Sequence, residues 1–383
     1  MASKTKTSPF MLFSVLCFLF NLRFSTAQTT VKGSYWYYGT EFPVSNINSS
    51  LFTHLFCAFA DLNSTTYRVT IPNSVSTQFS TFTTTVQQKN PSVKTLLSIG
   101  GGGPNITATF ASMASQPSRR NSFIDSSIKL ARNYSFHGLD LDWEYPSTAT
   151  EISNFGKLLL EWRTAVANES RTSGKTALLL SAAVFRSSNY YSLDLPVQNI
   201  SNSLDWINVM SYDFYGPGWS PNFTAPPAAL YNATASQVNG AAGIRDWIRA
   251  GFPARKMALG IPFYGYAWRL VNSNNNGLFA PANGAGLPGD GDIGYNNIRS
   301  FISENNGRSV FNMSVVSDYC YSGTTWIGYD DVRTGVSLPK LAMLRPKDCL
   351  AIFLGMLGLI TIGLFHKQGK SIVRPLVTTS WGR

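Results

Sequence analysis

Apolar residues along this chain collect in short runs separated by longer segments of helical spacing. The runs are Val31–Tyr38, Phe52–Ala60, Val93–Gly100, Phe136–Glu144, Ala177–Val184, Trp206–Asp213 and Lys256–Tyr264. They are short and β-rich, as strands should be. Between them, stretches such as Phe110–Tyr134 and Glu151–Ala167 keep helical spacing with few breakers. That alternation predicts a parallel sheet with crossover helices, the α/β class. Seven such units over this length point to a (β/α)8 TIM barrel rather than an open sheet. From Tyr266 to Gly335 the pattern changes. A Gly- and Asn-rich stretch, Asn272–Asn297, is followed by Trp326-Ile-Gly-Tyr329, which predicts a small inserted α+β lobe over residues 266–335.

The fourth run carries the chemistry. In Phe136-His-Gly-Leu-Asp140-Leu-Asp142-Trp-Glu144-Tyr-Pro146, a strand puts Asp140, Asp142 and Glu144 on one face and Leu139, Leu141 and Trp143 on the other. Like charges raise one another's pKa, so packing three acids together keeps a carboxyl protonated near neutral pH, as a general acid requires. By spacing alone the same residues fit a divalent-cation site or a solvated edge strand.

Composition narrows the class. The chain has 383 residues, 44% hydrophobic and 13% charged, enough for a large core but too polar between runs for a multi-span membrane protein. Lys4 and Lys6, the apolar run Phe10–Phe20 and the small residues before Gln28 predict a signal peptide over residues 1–27 and hence secretion, extracellular or vacuolar. Asn-x-Ser/Thr triplets at Asn48, Asn63, Asn105, Asn133, Asn168, Asn199, Asn222, Asn232 and Asn312 agree with a glycoprotein. Cys57, Cys320 and Cys349 form no disulfide framework and no metal spacing. The net charge of +11 is concentrated at the ends: three cations precede Gln28 and a net six follow Gly335, leaving +2 for residues 28–335. No basic stripe marks nucleic-acid binding.

Four motifs at the ends of runs carry a family resemblance: Ser98-Ile-Gly100-Gly101, Asp140-x-Asp142-x-Glu144, Met210-Ser-Tyr212-Asp213, and Gly260-Ile-Pro-Phe-Tyr264-Gly-Tyr266-Ala-Trp268. In this order they resemble glycoside hydrolase family 18, most closely the plant class V chitinases, over about residues 31–335. The resemblance implies a monomeric, cofactor-free and metal-free hydrolase of chitin or GlcNAc oligosaccharides. Glu144 would be the acid/base. The substrate's own acetamido oxygen would attack the anomeric carbon, a substrate-assisted exception to the two-carboxylate rule. Asp142 would stabilise the resulting oxazolinium ion, Asp140 would set the charge of Asp142, and Tyr212 would complete the catalytic set. Met210, Asp213, Tyr264, Tyr37, Phe59 and Trp268 would bind substrate. A non-catalytic chitin-binding lectin is the alternative. His137 stands where the wider family often has Asp, and Tyr266 where many relatives have Arg.

The last segment departs from the family. A helix, an eighth strand resembling GLLGYFAW and an Asn-Trp are expected after Asp331; the chain instead has an apolar run, residues 349–365, and a basic tail within residues 336–383. The eighth strand is therefore expected to be missing. Taken literally, residues 349–365 with Lys367, Lys370 and Arg374 beyond them fit a single-pass membrane anchor. A second frame gives another account. Joining the third base of each codon to the first two of the next, with synonymous codons chosen freely, Val336 through Gln368 encode FLAKVSYAKAKGLLGYFSW, a variable residue, VGAD, another variable residue and NWALSQ. That restores the missing helix, strand and tryptophan, so the segment after about Gly335 reads as translated out of frame.

Overall fold

The computed structural model describes residues 31–38, 42–232, 234 and 237–331, with the backbone of Ala351–Met356. The expected signal peptide and the remainder of the tail lie outside the described residues.

Each of the seven runs overlaps a strand: β1 (Val31–Tyr37), β2 (His54–Leu62), β3 (Lys94–Gly101), β4 (Gly138–Trp143), β5 (Leu179–Phe185), β6 (Trp206–Met210) and β7 (Met257–Ile261). All pair in parallel with their neighbours in sequence order. The helices between them are α1 (Ser76–Gln87), α2 (Pro104–Ala114), α3 (Pro117–Asn133), α4 (Ala149–Ser173), α5 (Val197–Ser203) and α6 (Gly240–Arg249). The stretch Phe110–Tyr134, which sequence periodicity joins, spans parts of two helices. Pro117 opens α3 at its first turn, where a missing N–H costs nothing, and cannot continue α2.

α4 shows how local sequence sets an element. Thr148 accepts a hydrogen bond from the Glu151 N–H at 3.2 Å, while the Glu151 carboxylate accepts from the Ser147 N–H at 2.7 Å. The helix stops at Gly174, whose φ of 69° is the left-handed cap conformation.

The expectation of a missing eighth strand is corrected. The backbone of β8 (Ala351–Met356) lies parallel between β1 and β7, pairing Val31 with Ala351 on one side and Ala258 with Ala351 on the other, and it closes the ring. Backbone pairing between two open parallel edges requires extended, breaker-poor sequence rather than particular side chains, and Ala-Ile-Phe-Leu-Gly-Met supplies it. The same finding corrects the anchor alternative, because Ala351–Met356, in the first half of the 349–365 run, is strand. Among the described residues no helix is long and apolar enough to cross a membrane.

Chain parity separates two cores. Leu139, Leu141 and Trp143 face outward and pack with Phe110, Phe155 and Leu159 from the helices. Inside the barrel, Tyr35, Phe56, Leu96, Trp206 and Ala258 form a smaller apolar layer beneath the acids.

Directly after β7 the chain builds a six-stranded antiparallel sheet: Tyr264–Leu270, Ala282–Ala285, Asp292–Gly294, Arg308–Asn312, Ser317–Ser322 and Thr325–Tyr329. Helix α7 (Tyr295–Glu304) packs on it through Tyr295 and Ile298 against Ala267, Cys320 and Ile327.

Candidate active site

β4 aims Asp140 and Asp142 into the barrel, and Glu144 follows just beyond its C-terminal end. Register fixes their neighbours: Ser98 and Ser181 lie beside Asp140, and Gly100 and Ala183 beside Asp142. Gly100 is required there. Its φ is +115°, and a Cβ would stand 2.2 Å from the Asp142 carbonyl oxygen.

Asp140 is fully buried and richly partnered. Tyr35 donates to its Oδ2 at 2.5 Å and Ser98 at 2.7 Å; Ser181 donates to its Oδ1 at 2.6 Å and Asn208 at 3.4 Å. Burial raises its pKa, while the hydrogen bonds from Ser181, Tyr35 and Ser98 oppose the rise. Donors converging on a carboxylate are the reverse of what a cation needs. Among the described residues no cluster of three or more His, Cys, Asp or Glu could hold a metal.

Asp142 differs. Its Oδ1 is buried without a hydrogen-bond partner, and burial, then Glu144 and then Asp140 push its pKa well above the carboxylate range. Glu144 is raised by burial and by Asp213, against a hydrogen bond from Tyr145. The three acids thus have graded environments: one saturated with donors, one desolvated and unpartnered, one at the mouth.

The opposite wall comes from β6 and the strand Tyr264–Leu270. Asp213 opens onto the cleft at a φ of 55°. Tyr264 donates to both its oxygens at 2.8 Å and Tyr266 to Oδ1 at 3.1 Å. Burial raises the Asp213 pKa and these hydroxyls lower it. Tyr212 packs edge-on to Tyr264, with ring centroids 6.3 Å apart, and burial, then the charges of Asp213, Asp142 and Glu144, hold its hydroxyl protonated. Met210 is buried on β6, with its sulfur 4.0 Å from the Tyr145 hydroxyl. Tyr37 and Phe59 are half-buried on β1 and β2, 6.1 Å apart.

Trp268, expected to bind substrate, does not join this group. It is 0% exposed, crosses Trp326 at 5.5 Å and donates its indole N–H to the Ser220 carbonyl at 2.9 Å. It shares the face of Tyr264 and Tyr266 but lies deeper, within the core of the antiparallel sheet.

Sequence reasoning missed several aromatic residues around the mouth. Tyr145, Phe185 and Tyr190 pack together with centroids 4.9 to 5.2 Å apart, and Tyr191 beyond them is 77% exposed. Trp219 is 49% exposed and stands edge-on to Tyr266 at 5.2 Å. Phe185 belongs to a strand whose inward parity was readable, but Tyr190, Tyr191 and Trp219 sit where no period places them. Asn208 and Ser181 did leave a signal: they are polar residues at inward positions of otherwise apolar strands.

Comparison with known proteins agrees with this geometry. The model of the glycosyl hydrolases family 18 matches residues 29–337. A class V chitinase of Arabidopsis thaliana is 59% identical over 86% of this chain and 86% of its own. The crystal structure of a class V chitinase from Nicotiana tobaccum superposes with a TM-score of 0.84 at 50% identity, covering 87% of this chain and 95% of that one; a glutamate-to-glutamine mutant of it was solved in complex with NAG4. A chitinase-like agglutinin from Robinia pseudoacacia is similar at a TM-score of 0.81 and 50% identity, covering 87% and 96%. The chain belongs to the glycosyl hydrolases family 18, and its fold is the barrel of the plant class V chitinases.

Proposed function

We propose that the chain is a secreted, monomeric chitinase that hydrolyses β-1,4 linkages between N-acetylglucosamine units with retention. The graded acids on β4 carry this reading. Glu144, raised by burial at the cleft mouth, protonates the leaving glycosidic oxygen. Asp142 presents an unpartnered oxygen to the acetamido N–H and stabilises the oxazolinium ion as positive charge develops. Asp140 stays ionised under its four donors and keeps a proton on Asp142. Tyr212 and Asp213 hold the acetamido group and the sugar from the other wall. Glu144 then acts as base toward the water that opens the ring.

The complex of the tobacco relative with NAG4 supports the substrate class. Exposed Tyr191 and Trp219 offer ring faces to further sugars.

A second reading, a lectin that holds chitin oligomers without cutting them, is favoured by one observation: β8 contains no tryptophan. The family resemblance places a tryptophan at the end of that strand, as a floor under the cleaved sugar. Hydrolysis of a GlcNAc hexamer by the purified chain, lost on Glu144→Gln while hexamer binding persists, supports the enzyme. Binding by both proteins with cleavage by neither supports the lectin.

A further inference from the structure

We propose that Trp206 and Asn208 are positioning residues that fix the direction of the hydrogen bonds on Asp140 and so keep the proton of the aspartate pair on Asp142. The inference rests on the reading of Asp140 and Asp142 given above.

The direction follows from which groups can only donate. An indole N–H has no acceptor capacity, so the Trp206 Nε1, 3.0 Å from Asn208 Oδ1, makes that atom the amide oxygen. The Asn208 amide nitrogen then faces the other way, 3.1 Å from the Tyr35 hydroxyl and 3.4 Å from Asp140 Oδ1. Tyr35 accepts from it, and the tyrosine's one proton goes to Asp140 Oδ2 at 2.5 Å. Ser98 and Ser181 fill the remaining positions. Asp140 therefore meets four donors and has no need of a proton of its own.

Trp206 and Asn208 are both buried, two residues apart on β6, so strand parity points both into the barrel. Without the indole, the Asn208 amide is free to rotate. Its oxygen would then face Tyr35 and Asp140, drawing the tyrosine proton away and repelling the carboxylate. The pair's proton would move toward Asp140, leaving Asp142 an anion before substrate arrives.

The groups facing Asp140 are Tyr35 from β1, Ser98 from β3, Asp142 on its own strand, Ser181 from β5, Asn208 from β6, and Tyr212 beyond that strand's end. His54 stands edge-on to Trp206 with ring centroids 5.0 Å apart, and burial lowers its pKa to about 4, so it is neutral above that pH.

Two measurements on the full chain test the relay. In the wild type, carboxyl NMR of 13C-labelled aspartate should show Asp140 ionising at lower pH than Asp142; the reverse order overturns the proposal. In Trp206→Phe and Asn208→Leu, the acidic limb of kcat on a GlcNAc hexamer should move up by about 0.5–1 pH unit, the scale of one lost hydrogen bond. KM should stay within about twofold, as expected when ground-state binding is untouched. An unmoved limb, or a loss equal at every pH, makes the two residues merely structural and overturns it. If neither variant folds, the wild-type titration decides. A wild type that cleaves nothing defeats the functional reading, while its titration order still reports on the relay.

Discussion

Gly102 stands against Glu144, the proposed acid: a Cβ placed on Gly102 would lie 3.2 Å from Glu144 Oε1. The Gly102-Gly103 pair after β3 thus clears room for the carboxyl as well as turning the chain. Because this contact is tighter than ordinary packing, Gly102→Ala should displace the Glu144 carboxyl by a few tenths of an ångström. We expect kcat to fall about three- to tenfold, less than the roughly hundredfold of a full 1 Å misplacement. Steady-state kinetics on a GlcNAc hexamer would check this; an unchanged kcat would mean that the acid swings clear of Gly102 when substrate binds.

Asp142 works against stability. Its folded pKa lies well above the ordinary value, chiefly through burial. Such a group is harmless below its unfolded pKa of about 4. It becomes increasingly unfavourable as pH rises toward the folded pKa, because only the unfolded state ionises freely. Asp142→Asn should therefore melt about 1–3 °C above wild type at pH 8 and together with it near pH 3, while losing most activity. Calorimetry across that range decides. A variant that melts lower at pH 8 would show that Asp142 makes favourable contacts as an anion.

Two tryptophans should separate packing from binding. Trp268→Ala removes a fully buried ring and should destabilise by about 3–5 kcal/mol. Trp219→Ala removes a half-exposed ring and should leave the melting temperature within about 1 °C, while weakening hexamer binding several-fold if its face holds a sugar, a contact worth about 1 kcal/mol. Calorimetric titration beside thermal melts gives both numbers.

The match to the family model ends at residue 337, close to where the proposed change of reading frame would begin. Transcript and genomic sequence across the codons for Tyr329 to Phe365 should show the frame encoding GLLGYFSW. A protein carrying that segment should be more active than the present chain, because it places a tryptophan at the end of the closing strand. A genomic frame that encodes the present tail, with no insertion or deletion against close paralogues, would refute this.

Legibility in the sequence followed period. Asp140, Asp142 and Glu144 could be placed because a strand alternates strictly, and the seven barrel strands because their apolar runs are bounded by breakers. Ser181 and Asn208 stood out as polar residues at inward positions, but their pairing with Asp140, like that of Tyr35 and Ser98, could not be read, since the four come from four strands that meet only in the closed ring. Parity put Trp268 on the correct face but could not show that Trp326 and the Ser220 loop cover it. Mouth aromatics such as Trp219 and Tyr191 carry no period. β8 escaped notice because side-chain identity was the guide, whereas backbone pairing decides that position.

The most direct test of the account is the anomeric form of the first products released from a GlcNAc hexamer, followed by proton NMR before mutarotation. Hydrolysis assisted by the substrate's acetamido group through Glu144 and Asp142 predicts the β-anomer first. Release of the α-anomer first, or binding with no product at all, would contradict it.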